Sequence, residues 1–185
     1  MTNSAKFTHR IARQSDVGAI MELMSLSIEV NMRAFISYEQ IEANKESMGV
    51  DQTLIDDGTY FVVETFKNDQ NLMVGCGGWG KRRTLYGGNH TTGRDDSFAD
   101  PEREAARIRA MYTHPDWIRQ GIGSLLLDIG EGAARQAGFK TIELGSTLPG
   151  EPLYLARGYV EIHREERMAG NGHTNTIIKM SKNLV

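Results

Sequence analysis

Hydrophobic and polar positions change period several times along this chain, and the changes predict its elements. Residues 7–11 read as a short strand, after which Ser15 or Asp16 caps a helix with Val17, Ile20, Leu23, Met24 and Ile28 at a 3.6-residue spacing. A second helical pattern covers residues 38–48 around Ile41. Residues 60–63 and 72–79 are β-branched and aromatic runs separated by Lys67-Asn68-Asp69-Gln70-Asn71, which predicts a hairpin. Residues 106–112 predict a strand, residues 121–137 a helix with Ile122, Leu125, Leu126, Ile129 and Ala133 on one face, and residues 141–144 a strand. A short helix over 152–157 stops at Gly158, and residues 159–164 and 174–180 close the chain as a hairpin around 169–172.

That order of elements is an α/β (α+β) pattern: a mixed, mostly antiparallel sheet of about seven strands flanked by about four helices. Residues 81–104 are the exception, with no period and with Tyr86 and Phe98 as isolated apolar anchors. A structureless stretch of this length predicts a long loop or lid, and a lid over a binding site is the functional form of it.

Length and composition narrow the class. At 185 residues the chain is sized for one domain spanning 1–185, and 39% apolar with 24% charged residues is the balance of a globular protein. No apolar run reaches the roughly 18 residues that cross a bilayer, and a net charge of −3 gives no footprint for nucleic acid. Neither a membrane nor a nucleic-acid partner is expected, and a homodimer is compatible with the composition. Cys76 is the single cysteine and residues 1–10 lack the apolar centre of a signal peptide, so the expected setting is the reducing cytoplasm. As a nucleophile Cys76 would want a basic neighbour, but it sits among Gly75, Gly77 and Gly78, which suits a small buried strand residue. His9, His90, His163 and His173 show no paired ligand spacing, so no metal is expected. Glycine is in surplus, 20 residues against 4 prolines, and eight of the 20 fall between Gly121 and Gly158.

Two of those eight, Gly121 and Gly123, open a predicted helix directly after a strand. Backbone N–H groups without intrahelical partners and the positive end of the helix dipole make such a place an anion site. Arg119 adds positive charge beside it. A Walker A loop would need a lysine where Ser124 follows Gly123, and a dinucleotide fingerprint would need a glycine at Leu126. A plain turn into a surface helix remains the bland alternative.

The run Tyr112-Thr113-His114-Pro115 followed by Gln120-Gly121-Ile122-Gly123 resembles motif A of the GNAT superfamily of acetyl-CoA-dependent N-acetyltransferases. Leu153-Tyr154-Leu155-Ala156-Arg157-Gly158-Tyr159 resembles the family's later Leu-Tyr-x-x-x-Gly-Phe run, and the likeness covers nearly the whole chain except 81–104. One departure is Ile118 at the motif's first basic or amide position, with Arg119 where many members have glycine. The resemblance implies a sheet splayed between its fourth and fifth strands with the pantetheine arm of acetyl-CoA between them. It implies that backbone groups of Met111, Tyr112 and Thr113 bind that arm. It further implies that N–H groups of Arg119, Gln120, Gly121, Ile122, Gly123 and Ser124 hold the pyrophosphate.

The chemistry so implied is acetyl transfer to a primary amine of a small molecule or peptide. An amine of reference pKa near 10.4 costs about 4.6 kcal/mol to hold neutral at pH 7, so a base, desolvation or a water chain must help. Backbone N–H groups near Met111 are the expected oxyanion donors. Tyr154, four residues before Gly158, matches the family's general acid, which gives a proton to the departing thiolate. Many relatives carry a glutamate near the position of Arg107; Glu104, His114 and a water relay are the alternatives for the base. Arg107 and Arg109 alternate onto one strand face, where they hold a substrate carboxylate or line a solvated edge. Lys81, Arg82 and Arg83 read as solvated loop charges or as contacts to a phosphate. The alternative from another class is a noncatalytic acyl-CoA-binding regulatory module on the same fold.

Overall fold

The structure is a computed structural model that describes residues 6–184. In chain order it runs β1 (Thr8–Ile11), α1 (Val17–Asn31), α2 (Tyr38–Lys45), α3 (Gln52–Asp56), β2 (Tyr60–Lys67), β3 (Gln70–Gly80) and β4 (Ala106–Thr113). It continues with α4 (Ile122–Gln136), β5 (Thr141–Ser146), α5 (Glu151–Ala156), β6 (Val160–Met168) and β7 (Thr174–Asn183). Short 3-10 turns at Gln14–Asp16 and Pro115–Trp117 lead into α1 and toward α4. The expected strands are all present. A fifth helix, α3, goes beyond the expectation: it is one turn long, and its signal was Asp51, whose carboxylate caps it by accepting the Thr53 N–H at 3.1 Å.

All the strands join one sheet in the order β1-β2-β3-β4-β5-β7-β6, antiparallel throughout except between β4 and β5. One core lies between the sheet and the first helices, built on Ile20, Leu23, Ile41, Leu54 and Val62. A second lies under α4, built on Ile108, Leu127, Ile142, Leu144 and Ile178. No helix among the described residues is long and apolar enough to cross a membrane.

The buried face of α4 is turned from the expected one. Ile122 and Leu126 are buried as predicted, but Leu127, Gly130 and Ala134 accompany them in place of Leu125, Ile129 and Ala133. The cause is Gly130: a Cβ there would come within 3.0 Å of Ile108 Cδ1, so the glycine lets the helix lie close on β4. Apolar periodicity alone gives no weight to a glycine.

β6 extends to Met168, past the predicted end at 164, although its last residues are charged. It is an edge strand that pairs only with β7, and charge on an edge is the usual protection against further pairing.

Candidate active site

The parallel pair at the centre of the sheet is short. β4 and β5 meet only at Ala106↔Ile142 and Arg107↔Glu143, although both strands run on past these pairs. Arg107 holds this neck: its Nη1 donates to Ala105 O at 2.5 Å and lies 3.5 Å from the Glu143 carboxylate. Beyond it the strands part and leave a cleft of about 110 Å³, lined by residues 108–112 of β4 and 144–147 at the end of β5. Tyr154 of α5, residues 47–49 after α2 and residues 85–87 of the long insertion also line it.

β4 is distorted at the cleft. Its ladder with β3 passes from Gly78↔Arg109 to Cys76↔Tyr112, so Ala110 and Met111 stand opposite Gly77 alone. This bulge puts Ala110 at φ 49°, a left-handed conformation that costs an alanine roughly 1–2 kcal/mol. Tyr60 holds it there by donating from its hydroxyl to Ala110 O at 2.6 Å. Because β4 has no partner on its β5 side past Arg107, alternate residues turn backbone N–H and C=O groups into the cleft. Met111 and Tyr112 lie on this open stretch; Thr113 follows, its carbonyl accepting from Asn31 Nδ2 at 2.8 Å.

The loop after β4 delivers the helix end. His114 caps the Pro115–Trp117 turn, its Nδ1 accepting the Asp116 N–H at 3.2 Å. Arg119 at φ 60° and Gly121 at φ 92° then turn the chain so that α4 starts at Ile122. Gly121 is glycine for its backbone angle, because the space around its missing Cβ is open. Gly123 is glycine for packing: a Cβ would fall 2.7 Å from Leu153 Cδ2 of α5. Arg119, Gln120 and Gly121 are exposed, and the fifteen-residue α4 points the free N–H groups of its first turn, from Ile122 through Gly123 and Ser124, out of this loop. Lys6 Nζ donates to Gln120 Oε1, which adds a second cation near Arg119.

Tyr154 lines the cleft, with its ring edge-on to Tyr159 at 5.7 Å. Burial pushes its hydroxyl up to about 12, so it stays protonated at neutral pH. Its hydrogen bond is a long one, 3.9 Å to Met111 Sδ, and a thioether is a weak acceptor. The proton is therefore available to any stronger acceptor that enters the cleft.

Neither side-chain candidate for the base lines the cleft. Arg83 donates to both oxygens of Glu104 at 2.7 and 2.9 Å and holds its carboxyl down at about 2. His114 is engaged as a cap. The described lining contains no carboxylate and no imidazole.

The structure gives Arg109 a different use from the two expected ones. It is buried rather than on a solvated edge, and its guanidinium donates to Asp51, Thr84 O and Gly87 O rather than standing open to a substrate carboxylate. Arg82 pairs with Asp57 at 2.7 Å and so anchors the insertion beside α3, while Arg83 pairs with Glu104 and ties the insertion's two ends together. Cys76 is buried, and desolvation pushes its thiol up to about 12, the opposite of an activated nucleophile. Sequence reasoning missed Asn44, Ser47 and Leu85 as lining; Tyr86 was legible only as an isolated apolar residue in a polar stretch. Among the described residues no group of three or more metal-ligating side chains comes together.

A parallel pair that parts beside a glycine-led helix N-terminus leaves an open strand edge and a set of free N–H groups on one side of this α/β sheet. Residues 56–161 match the family model described as the acetyltransferase (GNAT) domain. The match covers more than half of the chain, which belongs to the GNAT acetyltransferase family and is an acyltransferase. Its fold is shared by a GCN5-related N-acetyltransferase of Rhodopseudomonas palustris (TM-score 0.67, 18% identity, 95% of this chain and 94% of that one). It is also shared by yncA of Salmonella typhimurium, solved with its cofactor acetyl-CoA (TM-score 0.63, 17% identity, 97% and 95%). A third is the paia N-acetyltransferase of Thermoplasma acidophilum in complex with coenzyme A (TM-score 0.58, 14% identity, 96% and 98%). No curated protein sequence matches the chain.

Proposed function

We propose that the protein transfers the acetyl group of acetyl-CoA to a primary amine by direct attack within a ternary complex, using one acetyltransferase domain that spans the chain. The observation that carries this is the placement of Tyr154, a protonated and weakly bonded hydroxyl, on the same cleft as the unpaired edge of β4.

The residues present fit the cofactor. The open edge of β4 at Met111 and Tyr112, leading to Thr113, offers backbone donors and acceptors to the amides of a pantetheine arm. Arg119, Gln120 and Gly121, with the N–H groups of Ile122, Gly123 and Ser124, offer a helix N-terminus to a pyrophosphate. When bound, acetyl-CoA supplies the acetyl group: its C–S bond breaks as the N–C(O) bond forms, and one proton passes from the amine side to the thiolate.

The chain's own groups do the rest. The bulge at Ala110 and Met111 fixes the backbone donors available to a developing oxyanion. Tyr154 holds the proton that the departing thiolate takes. Cys76 is buried and unactivated, and the described lining has no histidine to activate Ser47 or Ser146, so a covalent acetyl-enzyme has no activated nucleophile among the described residues of the cleft. With no carboxylate or imidazole in the described lining, the amine proton leaves through water held by polar groups such as Asn44 and Ser47.

Thiol release from acetyl-CoA against a panel of small and peptide amines, with acetyl-CoA binding measured alongside, tests the reading. Amine-dependent release supports it. Tight binding without release for any amine contradicts it.

A further inference from the structure

The insertion at 81–104 forms no helix or named strand, yet it is tied to the centre of the protein. Arg94 Nη2 donates to the two oxygens of Asp51 at 2.9 and 3.0 Å, and its Nη1 donates to Gly88 O at 2.9 Å. From β4, Arg109 Nη2 donates to the same Asp51 at 2.6 Å and to Gly87 O at 2.7 Å, while its Nη1 donates to Thr84 O at 3.0 Å. One guanidinium thus grips the chain on both sides of Leu85 and Tyr86. The Asp51 side chain is 0% exposed and that of Arg109 3%, so salt screens this clamp far less than a surface pair. A lysine could not reproduce it, because a point charge lacks the fork that spans three acceptors.

The gripped residues cross the split in the sheet. The Tyr86 ring lies so close on β5 that a Cβ at Gly145 would stand 3.1 Å from its Cδ1, and the Arg167 guanidinium of β6 stacks 5.0 Å from its centroid. The insertion leaves the sheet after β3 and makes a wall of the cleft on the far half. Met48, Leu85, Tyr86 and Ile177 give one part of the lining an aliphatic and aromatic character beside the polar Asn44, Ser47, Ser146 and Thr147, and Arg109, already paired with Asp51, is its one charged residue among those described.

We infer that Tyr86 determines acceptor specificity, that Arg109 is its positioning residue, and that the pocket they shape takes a monoamine on an apolar body rather than a polyamine. This rests on the acetyltransferase reading. A polyamine brings further cations that need carboxylates to replace their lost hydration, and the lining supplies an arginine instead. An apolar body gains from the same walls by leaving water.

The test uses the full chain with acetyl-CoA and with hexylamine, benzylamine, 3,3-diphenylpropylamine and spermidine. Wild type is expected to favour hexylamine and benzylamine over spermidine by at least about tenfold in kcat/KM. In Tyr86→Ala the ratio of diphenylpropylamine to hexylamine, compared at saturating acetyl-CoA, rises at least about tenfold. In Arg109→Lys the amine KM rises more than kcat falls. Hydrogen exchange at the Gly88 and Asn89 amides, which donate to Ser47 O and Val50 O just past the clamp, becomes at least about tenfold faster in that variant, with the β2–β3 hairpin unchanged. Spermidine as the preferred wild-type acceptor, or an unaltered amine ratio in Tyr86→Ala, overturns the specificity. Unaltered exchange at Gly88 and Asn89 in Arg109→Lys overturns the positioning role. A wild type that acetylates no amine overturns the enzymatic reading and the selectivity with it, and the exchange measurement then still decides the clamp.

Discussion

Gly123 and Leu153 are packed so closely that a Cβ on the glycine would lie 2.7 Å from Leu153 Cδ2, which makes the start of α4 and the middle of α5 a single unit. The helix end proposed to hold the pyrophosphate and the helix that carries Tyr154 are therefore positioned against each other. In Gly123→Ala the new methyl pushes on the free end of Leu153 while alanine gains helix propensity, so stability is expected to change by no more than about 1 kcal/mol while acetyl-CoA affinity falls as the helix start shifts. Adding Leu153→Ala should restore acetyl-CoA affinity relative to the single variant, which a double-mutant cycle of binding and melting checks.

Gly121→Ala separates backbone angle from packing. Its φ of 92° is costly for alanine, about 1–2 kcal/mol, while the open space means that nothing is displaced. Stability should fall, with no rescue from any change at Leu153. Thermal melting of the two glycine variants in both backgrounds checks the distinction.

The described cleft lining lacks a carboxylate and an imidazole, and burial pushes the Tyr154 hydroxyl up to about 12. Below the pKa of the acceptor amine, kcat/KM should therefore rise about tenfold per pH unit, following the free amine alone. No loss from tyrosine ionisation should appear below about pH 11. A plateau beginning near pH 6 or 7, with an amine of pKa near 10, would show a residue acting as base.

Arg83 holds the Glu104 carboxyl at about 2, against an ordinary 4.5. The depressed value means that the pair stabilises the fold fully above pH 4.5 and that this contribution is lost as pH falls toward 2. Melting of wild type and Glu104→Gln should differ at pH 6 and converge between pH 4.5 and 2. The pair is exposed, so the difference should also shrink in high salt.

Cys76 should be inert in the folded protein. Its thiol is buried and pushed up to about 12, so a thiol reagent at pH 8 is expected to modify it only on unfolding. Time courses with and without denaturant check this, and fast native modification would contradict the burial.

Local signals carried much of the fold. The strand-to-helix turn at Gly121, the hairpins and the core positions of α1 follow from period and punctuation, which depend on neighbours in sequence. What could not be read depends on contacts between distant residues. Nothing near Arg109 announces Asp51, 58 positions away, and nothing in 81–104 shows that Arg94 reaches back to the same carboxylate. The insertion therefore reads as a free lid in sequence and stands as an anchored wall in structure. Likewise the packing reason for Gly123 is Leu153, an element away. The splay entered only through family resemblance, because strand divergence has no signature of its own.

Tyr154 is proposed to serve the departing thiolate from a cleft that also receives the acetyl donor. Steady-state turnover and acetyl-CoA affinity of Tyr154→Phe, measured together on the best amine of the panel, test it most directly. The expected result is a loss of about 10²-fold or more in kcat with little change in acetyl-CoA affinity. Unchanged kcat in the phenylalanine variant would contradict it.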